Sequence, residues 1–153
     1  MVRTSDYRAY FEAMKVLDAR ITIVKPVIKE DHLAGIIKKI KSTDIILTCV
    51  IPSADTNALD GDNYGDLNSG LIYILKKADR TGDIDSKVWE RIDLLQEIME
   101  GVKNKMLSDN ANCENYPNMM SLLELNSLHT DPEYDFLGCD GWSLSFNFKT
   151  NEF

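Results

Sequence analysis

The segment from about Asp85 to Leu107 constrains this chain more than any other. Val88, Ile92, Leu95, Met99, Val102 and Met106 follow one another at steps of 4, 3, 4, 3 and 4, the spacing that lines up an apolar stripe on one helix face. Trp89 and Ile98 are expected to widen the stripe. Asp83 or Asp85 is the expected N-cap, and an acidic start also suits the helix dipole. At 1.5 Å per residue the helix runs about 33 Å, enough to cross a small sheet. About three heptads are too few to argue for a coiled coil, so a sheet is the natural partner for the stripe.

Strand patterns supply that sheet. Asp44 to Ile51 reads DIILTCVI, a nearly unbroken apolar run closed by Pro52, as in a strand covered on both faces. Gly70 to Lys76, GLIYILK, is a second strand. Trp142, Leu144, Phe146 and Phe148 alternate with Ser143, Ser145, Asn147 and Lys149, as in an antiparallel strand with one solvated side. Ser121 to His129 is expected to pair with it in a hairpin with a long tip over 131–141. Upstream, Ser5 is the expected cap of a helix carrying Tyr7, Tyr10, Phe11, Met14 and Leu17. Arg20 to Val24 reads as a strand ended by Pro26, and Leu33, Ile36, Ile37 and Ile40 mark a short helix with lysines facing out. Residues 53–70, SADTNALDGDNYGDLNSG, have no period and read as a long loop. Together these segments predict one α+β domain over residues 1–153. Its sheet is mixed or mainly antiparallel, with one long amphipathic helix on one face and shorter N-terminal helices.

Composition limits what such a domain does. The chain has 153 residues, 44% hydrophobic and 27% charged, the balance of a globular protein with one core. Its net charge is −8 and its pI about 4.7, a field that repels phosphate backbones, so no direct nucleic-acid partner is expected. The basic cluster Lys38, Lys39 and Lys41, with Lys29 upstream, reads as a solvated face. No apolar run approaches the roughly 18–20 residues that span a bilayer, and Met1 to Tyr10 lacks a signal-peptide core. Cys49, Cys113 and Cys139 form no Cys-x-x-Cys pair, which argues against disulfides and zinc and for cytoplasmic synthesis. Cys49, inside an apolar run, reads as a small core residue.

No catalytic frame emerges. A calcium loop starting at Asp60 puts Tyr64 at its fifth position and Leu71 where a bidentate Glu is needed. One starting at Asp79 puts Ile84 where the turn needs Gly. His129 shares an alternating face with Leu123 and Leu125, so it reads as a partly buried histidine. A pairing of Cys139 with His129 across the hairpin has nothing visible to orient the base or activate the thiol. Trp142 beside Gly141 reads as capping the core rather than stacking on a ligand. No catalytic residue, cofactor or metal ligand is expected, and a non-enzymatic binding or assembly role follows. Loops on a rigid scaffold are where partners meet. The expected contact residues are therefore Asp55, Asp60, Asp62, Tyr64 and Asp66 in the long loop, and Tyr134 and Phe136 in the hairpin tip.

From Asp44 onward the order is apolar strand, long loop, strand, a helix opening DIDSKVWERI, strand, and a last strand GWSLSFNFK that starts at Gly141 and Trp142. Over about residues 44–149 this arrangement resembles the small tail-completion or tail-terminator proteins of tailed phages and bacterial prophages. The resemblance implies a structural subunit that forms a ring with copies of itself and meets neighbouring proteins of a virion-like particle, without a cofactor. It carries no catalytic residue over, and the first 43 residues depart from the simplest form of that arrangement. A small acidic inhibitor or binding module docking a basic partner is the alternative.

Overall fold

In a computed structural model, which describes residues 1–60, 63–82, 84–112 and 119–152, five strands form one sheet and the helices lie on its two faces. In chain order these are α1 (Thr4–Glu12), α2 (Met14–Leu17), β1 (Ile23–Val27), α3 (Glu30–Ile37), β2 (Ile45–Asp60), β3 (Asn63–Lys77), α4 (Asp85–Ala111), β4 (His129–Phe136) and β5 (Cys139–Glu152). The sheet order is β1-β2-β3-β5-β4. Only β1 and β2 run parallel; the other pairs are antiparallel. A parallel pair needs a crossover, and α3 is that crossover. The fold is α+β with a mixed sheet, as the segment patterns imply.

The apolar run in β2 divides between the faces, as a doubly covered strand should. Ile45, Leu47 and Cys49 enter the larger core with Tyr7, Phe11, Ile72, Ile74 and Phe146, beneath α1, α2 and α4. Ile46 enters a smaller core with Val27, Leu75 and Cys139, beneath Leu33 and Ile37 of α3. The α4 stripe packs on the larger core through Leu95, Ile98, Met99, Val102 and Met106, and β5 answers it with Leu144, Phe146 and Phe148.

Several expectations need correction. Trp89 does not widen the stripe: it is 64% exposed, because one residue beyond Val88 rotates about 100° around the helix. Helix α4 extends to Ala111, and its N-cap is Ile84, with no side-chain cap, so Asp85 is the first helical residue. Asp83, the other cap candidate, lies outside the described residues. The first helix starts from Arg3, not from Ser5, whose hydroxyl bonds Asp6 instead. Strand β1 begins later than expected and contains Pro26, which an edge strand tolerates.

The largest correction concerns residues 53–70. Residues 53–60 and 63–70 are not a loop: β2 and β3 run on as paired strands from Ser53↔Ser69 to Asp60↔Asn63, past register shifts beside Val50 and Ala58, while residues 61–62 lie outside the described residues. Composition disfavours strand there, but β3 also pairs with β5 from Leu67↔Lys149 to Tyr64↔Glu152, and such pairing overrides weak local propensity. Residues 121–128 are likewise not a strand, and only His129 of the expected segment begins β4. Short 3-10 turns at Met119–Leu122 and Leu125–Ser127 flank a single bridge, Leu123↔Phe148. The hairpin partner of β5 is β4, and its tip is a tight turn at Leu137 and Gly138 rather than a long loop.

Candidate functional site

The β2–β3 pair continues beyond the helices as an arm. Strand β1 accompanies β2 only as far as Val27↔Val50. Among the described residues no strand flanks the outer side of β2 from Ser53 to Asp60. At about 3.3 Å per residue this bare edge runs about 26 Å. Ser53, Ala54, Asp55 and Thr56 are exposed. Its base is anchored to the N-terminal segment: the Asn68 side chain, buried, accepts from the Val2 N–H at 3.1 Å and donates to the Asp66 carbonyl at 3.3 Å. The Asp66 carboxylate meets the Met1 ammonium at 2.9 Å and accepts from the Thr56 hydroxyl at 2.9 Å. Those two contacts hold its carboxyl below the ordinary carboxylate range.

Of the expected contact residues, Asp55 stands exposed on the arm and Asp66 is half-buried at its base. Asp60 and Tyr64 sit on its two strands. The side chains of Asp60 and Tyr64, and all of Asp62, lie outside the described residues. No group of three metal-ligating side chains occurs among the described residues.

The β4–β5 hairpin tip brings together groups that the sequence keeps far apart. Asp140, with 0% of its surface exposed, accepts from Arg80 Nη1 at 3.0 Å and from Arg80 Nη2. It also accepts from Arg91 Nε at 2.9 Å and Nη2 at 2.7 Å, and from the Asp135 backbone N–H at 3.0 Å. Burial raises its carboxyl pKa, but the two guanidinium groups outweigh that and hold it below the ordinary value. This clasp ties the β3–α4 connection, α4 and the hairpin to one carboxylate. It also holds a strained turn, because Asp135 and Leu137 have φ of 54° and 53° before Gly138 at 79°. Tyr134, 68% exposed, lies under the Arg80 guanidinium at 4.4 Å. Phe136 turns inward and stacks on Tyr73, 4.9 Å between centroids. Tyr134 therefore faces outward, whereas Phe136 packs inward.

The histidine and cysteine expectations resolve clearly. His129 is exposed, not part of the core, and its Nε2 meets Asp131 at 3.0 Å. It stands opposite Ser145, six residues along β5 from Cys139, a separation of about 20 Å, so the two do not meet. Cys49 and Cys139 are buried, which pushes their thiols up to about 12 and about 11. Trp142 caps the core, with Nε1 donating to the Ile92 carbonyl at 3.0 Å. Gly141 beside it serves close packing: a Cβ there would sit 1.9 Å from the Ile74 carbonyl oxygen.

The two true sheet edges are blunted. Strand β1 carries Lys25 and Pro26, and β4 carries Asp131, Pro132 and Glu133, residues that discourage pairing with another chain. The bare part of β2 has no proline between Ser53 and Asp60. No helix among the described residues is long and apolar enough to cross a membrane. No protein-family model matches the sequence, nor does any curated protein.

Proposed function

We propose that this chain is a non-enzymatic structural or assembly subunit that acts by pairing with copies of itself and with neighbouring proteins. The phage or prophage tail or head–tail setting is part of this proposal and comes from the resemblance over about residues 44–149, in which paired strands take the place of the long loop. One observation carries the reading: the sheet blunts both terminal edges, yet among the described residues nothing pairs with the outer edge of the arm over Ser53–Asp60. Unpaired N–H and C=O groups on such an edge are a template for another strand. An acidic module docking a basic partner is the second reading, supported by exposed Asp55 on the arm of a chain with net charge −8.

Light scattering across a concentration series, on the intact chain and on a variant with residues 56–66 replaced by an Asn-Gly turn, tests the first reading. The expected result is a rise in mass with concentration that the shortened variant loses while keeping a cooperative thermal transition. A chain that stays monomeric at every concentration, but captures a basic protein in a salt-sensitive way, favours the acidic module instead.

A further inference from the structure

A groove of about 510 Å3 runs beside β1, lined among others by Arg8 and Glu12 of α1, Lys25 and Pro26 of β1, and Lys39 and Ile40 near α3. Helix α1 packs on one face of the sheet and α3 on the other, so a groove lined by both opens at the sheet edge itself. Its charged lining is three cations, Arg8, Lys25 and Lys39, against the single carboxylate of Glu12. That is a local excess of positive charge on a protein whose net charge is −8. All three cations are exposed, and the Arg8–Glu12 contact is a loose 3.8 Å pair.

The arm, with Asp55 exposed on it, lies on the same side of the sheet. Strand β1 flanks β2 up to Val50, and the bare stretch from Ser53 to Asp60 follows directly. Basic groove and arm are thus consecutive along one edge. A two-fold rotation that sets two such edges antiparallel brings each arm onto the other copy's groove. The same contact is then made twice, which is the condition for a closed, self-complementary dimer. Charge complementarity selects this antiparallel arrangement: a parallel one sets arm beside arm and like charges together.

We infer that two copies of this chain form a two-fold dimer in which each arm, through the exposed Asp55, lies against the basic groove formed by Arg8, Lys25 and Lys39 of the other copy, held by side-chain charge and not by strand pairing, which Lys25 and Pro26 oppose. This deepens the assembly reading and rests on it, and it names the occupant of both surfaces. Side-chain charge supplies the selectivity.

A charge-swap experiment with sedimentation velocity tests it. One variant reverses the groove (Lys25→Glu with Lys39→Glu), and the other reverses the arm (Asp55→Lys). The groove sites and Asp55 are exposed, and circular dichroism verifies that both variants fold. The wild type is expected to dimerise, with a dissociation constant that rises about tenfold between about 50 mM and about 500 mM salt. Each variant alone meets only like charges and stays monomeric, while an equimolar mixture restores a 1:1 dimer. Variants that dimerise as well as the wild type, or a mixture that stays monomeric, overturn the inference. An oligomer indifferent to salt and to both reversals also overturns it but leaves the assembly reading standing. A wild type that is monomeric at every concentration removes both.

Discussion

Asp140 is shielded from water and holds two guanidinium groups, and these two facts set what a substitution there costs. Asp140→Ala leaves Arg80 and Arg91 half-buried around a missing countercharge, for which a loss of about 3 kcal/mol is expected in denaturant unfolding. Asp140→Asn keeps the shape and the acceptor oxygen and should lose less. The pH dependence has a definite sign. Because the folded carboxyl titrates below the unfolded one, its contribution is complete above about pH 4 and drains away as pH falls through the folded value. Wild type and Asp140→Asn should therefore converge in stability in acid and separate toward neutrality. A second measurement concerns the thiols. With values near 12 and 11, Cys49 and Cys139 should stay unlabelled by a maleimide at neutral pH and react only after unfolding, as peptide mass spectrometry resolves. Nothing in the local sequence marks Asp140: it sits among turn-forming residues, and its partners lie 49 and 60 positions away. Cys49 was legible, because a small residue inside DIILTCVI has few places to go but the core.

Among the elements, α4 and β5 were readable and the arm was not, for contrasting reasons. Each of the first two carries its burial pattern in its own residues, at a period of about 3.6 or of 2. Residues 53–70 carry no such pattern, because little of the arm faces a core. What makes 53–60 and 63–70 strand is the pairing of β2 with β3 and of β3 with β5, the latter about 80 positions away, and no local signal reports it. The misplaced β4 has a related cause: Leu123 and Leu125 imitate an alternation, yet a single bridge at Leu123 is all that segment gives the sheet. The two tryptophans provide a spectroscopic check on the packing of α4 against β5. Trp89→Phe should change stability by less than about 0.5 kcal/mol and remove the red, solvent-exposed part of the emission. Trp142→Phe breaks the bond to the Ile92 carbonyl and should cost about 1 kcal/mol, leaving only the red emission.

For the molecule as a whole, the α+β class followed from the segment types alone, whereas the strand order did not, since order depends on which edges meet after collapse. That order has a consequence during synthesis. The fifth of the described strands in chain order, β5, is an interior strand, seated between β3 and β4. A nascent chain that has completed β3 at Lys77 must extend by about 60 residues, through the whole of α4, before Cys139 emerges. At about 5–20 residues per second this takes about 3–12 s. Throughout that interval the central edge of the sheet is bare and the aromatic face that α4 needs does not yet exist. The ribosome, not the edge prolines, therefore sets how long this protein is open to mispairing.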